Sequence, residues 1–143
     1  MTIGDAVSRL DELKPNAVSY QRKVEWLAEV DWDIYRTLVK THEGGEDLVF
    51  EGYDPDAESG TDDKTLLAVK PYDRMYVQYM MAQIDLQNQE YDLYANDAAL
   101  YNQSRDEYAK YYNRKVMPVQ GRGLHTKTWD GGKAKCICPA LNL

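Results

Sequence analysis

Residues 91–116 read YDLYANDAALYNQSRDEYAKYYNRKV, and this stretch decides the fold of the chain. Its tyrosines, with one alanine and one arginine among them, recur at alternating spacings of three and four residues, the heptad pattern of a helix that packs along one seam. The seam positions are Tyr91, Tyr94, Ala98, Tyr101, Arg105, Tyr108 and Tyr112. About three heptads favour an antiparallel pair with a neighbouring helix over a free coiled coil. We expect Arg105 to pair with a carboxylate or to stack on a tyrosine.

Upstream of this segment the sequence predicts three more helices, over about residues 2–14, 19–40 and 71–87. Thr2 and Ser19 can cap the first two, because their side-chain oxygens accept hydrogen bonds from N–H groups that a helix leaves unpaired. Pro71 stands at the favoured first position of the third. The prediction is a mainly α fold, a small bundle of four helices in a domain of residues 1–118.

An acidic insertion separates the second and third predicted helices. Residues 47–53 and 65–69 read as two short strands, so we expect a β-hairpin at about 47–69 with a long loop. Residues 43–63 contain nine acidic residues and no basic one, which makes this hairpin a negatively charged projection. The acidic residues assigned to the projection are Asp54, Asp56, Glu58, Asp62 and Asp63.

Tyrosine usage points to surfaces that become half buried against a neighbour. The chain has 12 Tyr and one Phe, and a tyrosine ring is apolar while its tip is polar. The predicted second helix also carries a second apolar patch beside its main stripe, so it has two different faces. The residues predicted to contact neighbouring subunits are Trp26, Val30, Tyr72, Tyr76, Tyr79, Tyr101, Tyr108 and Tyr112. The alternative is that the tyrosines line helices packed inside one chain.

Residues 119–143 form a separate C-terminal tail in composition and charge. Residues 1–113 carry 11 Lys and Arg against 23 Asp and Glu, whereas residues 114–143 carry six against one. The tail is too sparse in apolar residues to fold alone, so we expect an extended basic segment that becomes ordered on a partner. Its predicted anchors are Leu124, Trp129, Ile137 and Leu141. The alternative is a disordered terminus without a role.

No arrangement of residues indicates catalysis or a bound cofactor. The two cysteines, Cys136 and Cys138, and the two histidines, His42 and His125, match no standard zinc spacing. They also lack the nucleophile, base and orienting group of a catalytic site. The acidic stretch that begins at Asp54 departs from a calcium loop. No apolar run approaches the roughly 18 residues of a membrane span. We therefore predict no enzyme, no metal, no cofactor and no membrane partner.

Several segments together resemble one known family. They are PYDRMYVQY (71–79), AQID (82–85), EYDLY (90–94), YAKYYNR (108–114), THEGGED (41–47), FEGY (50–53) and the short first helix with its ending LKPN (1–16). In these segments the chain resembles the head–tail connector, or adaptor, proteins of long-tailed bacteriophages. The resemblance covers residues 1–118 and leaves the tail without a counterpart.

This resemblance implies a structural protein. Such proteins are small helical bundles that form a ring, commonly a dodecamer, beneath the portal protein at the capsid vertex. The ring extends the DNA channel and docks the next neck protein, a stopper (head-closure) or tail-terminator protein. The implied location is the virion neck, after synthesis in the bacterial host cytoplasm.

The charge of the chain fits a DNA channel. An acidic body repels phosphate, so packaged DNA would pass through the lumen without specific contacts. The hypothesis for the tail is that residues 119–143 dock onto the portal. The alternative function is a nucleic-acid-binding accessory protein that acts through its basic tail.

Overall fold

The computed structural model describes residues 1–56 and 60–119, together with the backbone of two strands at 126–130 and 133–137. The described chain is mainly helical, which confirms the predicted fold class. The helices are α1 (Ile3–Leu13), α2 (Tyr20–Ile34), α3 (Arg74–Gln87) and α4 (Tyr91–Lys115), with a π-helical turn at Tyr35–Val39 and a 3-10 turn at Thr61–Asp63. The strands are β1 (Thr126–Asp130) and β2 (Lys133–Ile137).

Local capping chemistry sets the beginnings of the first two helices, as predicted. The Thr2 hydroxyl accepts a hydrogen bond from the Asp5 backbone N–H, and the Asp5 carboxylate accepts one from the Thr2 N–H, so each satisfies an otherwise unpaired donor. The Ser19 hydroxyl accepts from the Arg22 N–H at the start of α2. The third helix begins at Arg74 instead of Pro71, because residues 70–73 form a turn before it.

One apolar core lies between α1, α2 and α3, and α4 covers α3. Its buried residues are Ile3, Ala6, Val7, Leu10, Val24, Trp26, Leu27, Val30, Ile34, Leu38, Leu66, Ala68, Met75, Tyr76, Met80, Ile84 and Tyr108. Helices α3 and α4 form the antiparallel pair expected from the seam, joined by the short connection 88–90. Ion pairs add to this packing: the Lys14 ammonium meets the buried carboxylate of Asp85, and Arg74 Nη2 lies 2.6 Å from Glu107 Oε2.

The β-hairpin predicted at about 47–69 is absent from the described residues 47–56 and 60–69. The backbone of the second segment pairs with α1 instead: Ile3 N–H donates to Lys64 O (3.0 Å) and Leu66 N–H donates to Met1 O (3.1 Å). A single β-bridge joins Thr2 and Thr65. The sequence pattern was misleading because Leu66 and Ala68 are buried in the core. The backbone groups of residues 64–67 bond to residues 1–3 and to Asp31 instead of to a second strand.

A short β-hairpin occurs in the tail, where only an extended segment was expected. Strands β1 and β2 pair antiparallel, with Thr126 opposite Ile137, Trp129 opposite Ala134 and Asp130 opposite Lys133. The available sequence signal was the Gly131–Gly132 dipeptide between two runs of similar length, since such a pair is typical of two-residue hairpin loops.

Candidate functional site

A buried carboxylate fixes the long connection between α2 and α3. Asp31 on α2 is fully buried and accepts hydrogen bonds from the hydroxyls of Tyr53 and Tyr76 and from the Leu67 N–H (3.2 Å). The Tyr76 hydroxyl also accepts from the Ala68 N–H at 2.8 Å. Three separate segments, α2, α3 and the connection, therefore meet at one side chain.

The protonation chemistry of this cluster reflects its burial. Burial raises the pKa of Asp31 above its usual value, although the hydrogen bonds from Tyr53, Tyr76 and Leu67 act to lower it. Burial, together with the charge of Asp31, also raises the pKa values of Tyr53 and Tyr76. The tyrosines therefore stay protonated as donors, and the cluster acts as a structural clamp.

His42 joins the segment after α2 to the C-terminal end of α4. Its ring is buried, with Nδ1 2.6 Å from Leu38 O and Nε2 2.7 Å from Asn113 Oδ1, and it packs edge-on against the Tyr112 ring. Backbone bonds continue the junction, from Glu43 N–H to Met117 O and from Val119 N–H to Thr41 O, each 2.9 Å. This junction fixes the position of Val119, which precedes the C-terminal segment in the sequence.

Four exposed apolar side chains belong to the two segments that this junction joins, and we call them the exit patch. It consists of Leu48, Val49, Met117 and Val119, of which Val49 is 76% and Met117 64% exposed. Hydrogen bonds from Leu48 N–H to Gly45 O and from Gly45 N–H to His42 O tie one half of the patch to the junction that carries the other half.

A second group of exposed apolar side chains lies at the α3–α4 connection and along the first half of α4, and we call it the tip patch. It consists of Leu86, Tyr91, Leu93 and Leu100, with Tyr91 64% and Leu93 50% exposed. Its charged neighbours along the chain, Glu90, Asp92 and Asp97, are all acidic, and residues 86–104 contain no basic residue. Because α4 has 25 residues, the two patches lie at opposite ends of a helix about 37 Å long.

The structure places the predicted subunit-contact residues mostly within the chain. Trp26, Val30, Tyr76 and Tyr108 are core residues, so they are not available to a second subunit in this conformation. The reason is that these side chains pack into the core of the chain, on faces that look unpartnered along the sequence.

The other four predicted contact residues are partly buried in the α3–α4 seam and beside it. The ring centroids of Tyr79 and Tyr101 are 5.0 Å apart, and those of Tyr72 and Tyr108 are 5.8 Å apart. Tyr112 packs on His42. The alternative interpretation, tyrosines packed inside one chain, thus describes this seam. Arg105 pairs with Asp33, its Nε 2.7 Å from Oδ2, as expected for the charged seam position.

The described acidic residues assigned to the projection are on the surface, and the described residues 47–56 and 60–69 form no hairpin there. Asp54, Asp56, Asp62 and Asp63 are exposed. The Asp62 carboxylate accepts a hydrogen bond from the Tyr20 hydroxyl, which holds the 3-10 turn against the start of α2. Glu58 lies outside the described residues, as do the tail anchors Leu124 and Leu141. Trp129 and Ile137 are described only as strand positions.

Concave sites in the described ranges are shallow and open. One open cleft, of about 550 Å³, lies between the α1–α2 connection and the end of α3. Residues 1–56 and 60–119 contain no group of three or more His, Cys, Asp or Glu side chains that could hold a metal ion. Within the part of the chain that the structure describes, no helix is both long and apolar enough to cross a bilayer.

The exposed patches were not predicted from the sequence. The sequence predicts a strand for Leu48 and Val49, and Leu93 and Leu100 lie off the tyrosine seam that dominates the heptad pattern. Leu93 and Leu100 lie seven residues apart and therefore on one face of α4, and this spacing was the available sequence signal for an apolar face. Comparisons with protein-family models, with curated proteins and with solved structures find no match to this chain.

Proposed function

We propose that the chain is a structural head–tail connector subunit of a long-tailed bacteriophage. In this proposal, copies assemble into a ring under the portal protein, extend the DNA channel and dock the next neck protein. The observation that carries the proposal is the presence of two different groups of exposed apolar side chains, the exit patch and the tip patch, toward opposite ends of α4. The family resemblance of residues 1–118 supplies the identity of the assembly.

Two unlike surfaces on one rigid body suit contacts with two different neighbours. A subunit whose contact surfaces differ associates head to tail, and the assembly closes into a ring when the rotation per subunit allows it. Two features stiffen the body between the patches: the Asp31 clamp is buried and hydrogen-bonded, and the tyrosine rings of the α3–α4 seam pack on one another. A rigid body loses little conformational entropy when it binds a neighbour at either end.

The distribution of charge supports a position around DNA. Residues 1–113 carry 23 acidic against 11 basic residues, and a wall with this excess repels phosphate. DNA could therefore slide through a ring of such subunits without binding to it.

Electron microscopy of the full chain mixed with its portal protein tests the proposal. We expect rings capping the portal, and we expect Leu93→Lys and Val49→Lys to abolish different contacts, because each buries a lysine in one of the two interfaces. Asn102→Lys, an exposed substitution on the same helix away from both patches, is the matched control. Unaltered assembly of both patch variants, or no ring with any portal, would refute the proposal. Salt-sensitive DNA binding by the free chain would favour the nucleic-acid alternative.

A further inference from the structure

We propose that two copies of the free chain pair in solution along the outward face of α4, with their two helices antiparallel. Residues on this face recur every three or four positions, opposite the buried Ser104 and Tyr108, and each of them is exposed. We call this face the α4 stripe, and its members are Asp92, Asn96, Ala99, Gln103, Asp106, Lys110 and Arg114. Because they follow one side of a single helix, they form one continuous surface. This inference concerns the free chain and does not rest on the ring.

The charge of α4 changes sign along its length. Residues 91–104 contain two acidic residues and no basic one, and Asp92 is the acidic residue on the stripe. Residues 108–115 contain three basic residues and no acidic one, and the stripe there carries Lys110 and Arg114. An antiparallel second copy brings the acidic end of each helix to the basic end of the other, whereas a parallel copy would bring like charges together. The stripe is therefore complementary to itself in one orientation.

The charges at the two ends of the stripe are not used within the chain. Neither Asp92 nor Arg114 forms an ion pair with another residue in the described ranges 1–56 and 60–119. The two residues are 22 positions apart, about 33 Å along the helix, so they cannot reach each other. Asp106, the acidic residue in the second half of the stripe, already pairs with Lys110 at 2.6 Å. Asp92 and Arg114 are therefore the charges left for a second copy.

The middle of the stripe suits the close approach of two helices. Ala99 and Gln103 are uncharged there. Leu93 and Leu100 lie along one flank of the stripe and are 50% and 48% exposed, so pairing would remove apolar surface from water. One contact between two helices buries less than the roughly 1,600 Å² of a standard interface. We therefore expect a reversible dimer, and its symmetric contact closes at two copies.

Sedimentation of the full chain over a range of protein concentrations tests the pairing. The wild type should shift from monomer to dimer as its concentration rises. Asp92→Lys and Arg114→Glu should each raise the dissociation constant of the dimer at least about tenfold, because each turns an attraction into a repulsion at two symmetry-related places. Asp63→Lys and Arg9→Glu, which reverse exposed charges outside α4, are the matched controls. Circular dichroism confirms that each variant is folded.

A mixture of the two variants provides the decisive readout. When an Asp92→Lys chain pairs antiparallel with an Arg114→Glu chain, both end contacts again join opposite charges. The mixture should therefore form dimers about as well as the wild type, although each variant alone stays largely monomeric.

Several outcomes would overturn the inference. They are a wild type that stays monomeric at every concentration, dimers that both reversals leave unchanged, and a mixture of the variants that remains monomeric. Growth beyond two copies would also contradict it, because a symmetric contact closes at the dimer. The portal experiment is independent of these results: rings built from a chain that does not pair would refute this inference alone, and pairing without rings would refute only the proposed function.

Discussion

Replacing Asp31 by alanine should destabilise the chain strongly, because three donors depend on this one carboxylate. The substitution removes the acceptor of the Tyr53 hydroxyl, the Tyr76 hydroxyl and the Leu67 N–H. Tyr76 is fully buried, so water cannot replace the lost bond, whereas the Tyr53 hydroxyl is less enclosed. The connection between α2 and α3 would lose its main attachment.

The magnitude follows from the burial of these groups. A buried donor left without an acceptor costs about 1–3 kcal/mol. The Tyr76 hydroxyl and the Leu67 N–H are the two donors counted, so together they give about 2–6 kcal/mol before compensation. Removing a desolvated carboxylate recovers part of this cost. We therefore expect Asp31→Ala to lower the free energy of unfolding by about 3 kcal/mol. Tyr53→Phe, which removes one less buried bond, should cost about 1 kcal/mol.

Urea unfolding followed by circular dichroism at pH 7 measures these differences. Asp31→Asn keeps the shape and one acceptor oxygen and is the matched control, with an expected loss between the other two. If Asp31→Ala costs no more than Tyr53→Phe, the clamp does not hold the connection and the reasoning is refuted.

The pH dependence of the same variants provides a second readout. Because burial raises the folded-state pKa of Asp31 above 3.8, the folded protein holds this proton more tightly than the unfolded chain does. The associated stability is fully present below pH 3.8 and is lost as the pH rises through the folded-state pKa. The free energy of unfolding of the wild type should therefore fall relative to Asp31→Asn across that interval.

The remaining predictions concern one tyrosine and two glycines. Burial raises the pKa of Tyr108 to about 12. The stability that the protonated tyrosine contributes is therefore complete below about pH 10 and is lost as the pH rises through 12. The free energy of unfolding measured between pH 9 and 12 should fall less in Tyr108→Phe than in the wild type. A Cβ at Gly45 would overlap the Val39 carbonyl, whereas one at Gly44 meets open space at a φ of +80°. Gly45→Ala should therefore cost more than about 2 kcal/mol and Gly44→Ala about 1 kcal/mol in urea unfolding; equal losses would contradict the steric argument.

Much of the helical fold was predictable because it depends on short-range chemistry. The Thr2 and Ser19 caps and the seam of α4 act within a few residues, so the sequence shows them directly. The start of α3 was placed three residues early, because Pro71 suits a helix start and a turn equally well.

The candidate surfaces were much less predictable. Whether a side chain is exposed depends on which other segments pack over it, and those segments are distant in the sequence. Trp26 was expected at a subunit contact and is instead in the core, whereas Val49 was expected in a strand and is exposed in the exit patch.

By itself, the sequence determined four helices, an acidic body and a basic tail, because caps, periodicity and charge are properties of neighbouring residues. Only the tertiary structure decided that residues 64–68 bond to α1 and Asp31 instead of forming a hairpin. The physical reason is that buried backbone groups must find partners, and the partners available here come from distant segments of the chain. The same long-range packing left two groups of apolar side chains exposed toward opposite ends of α4.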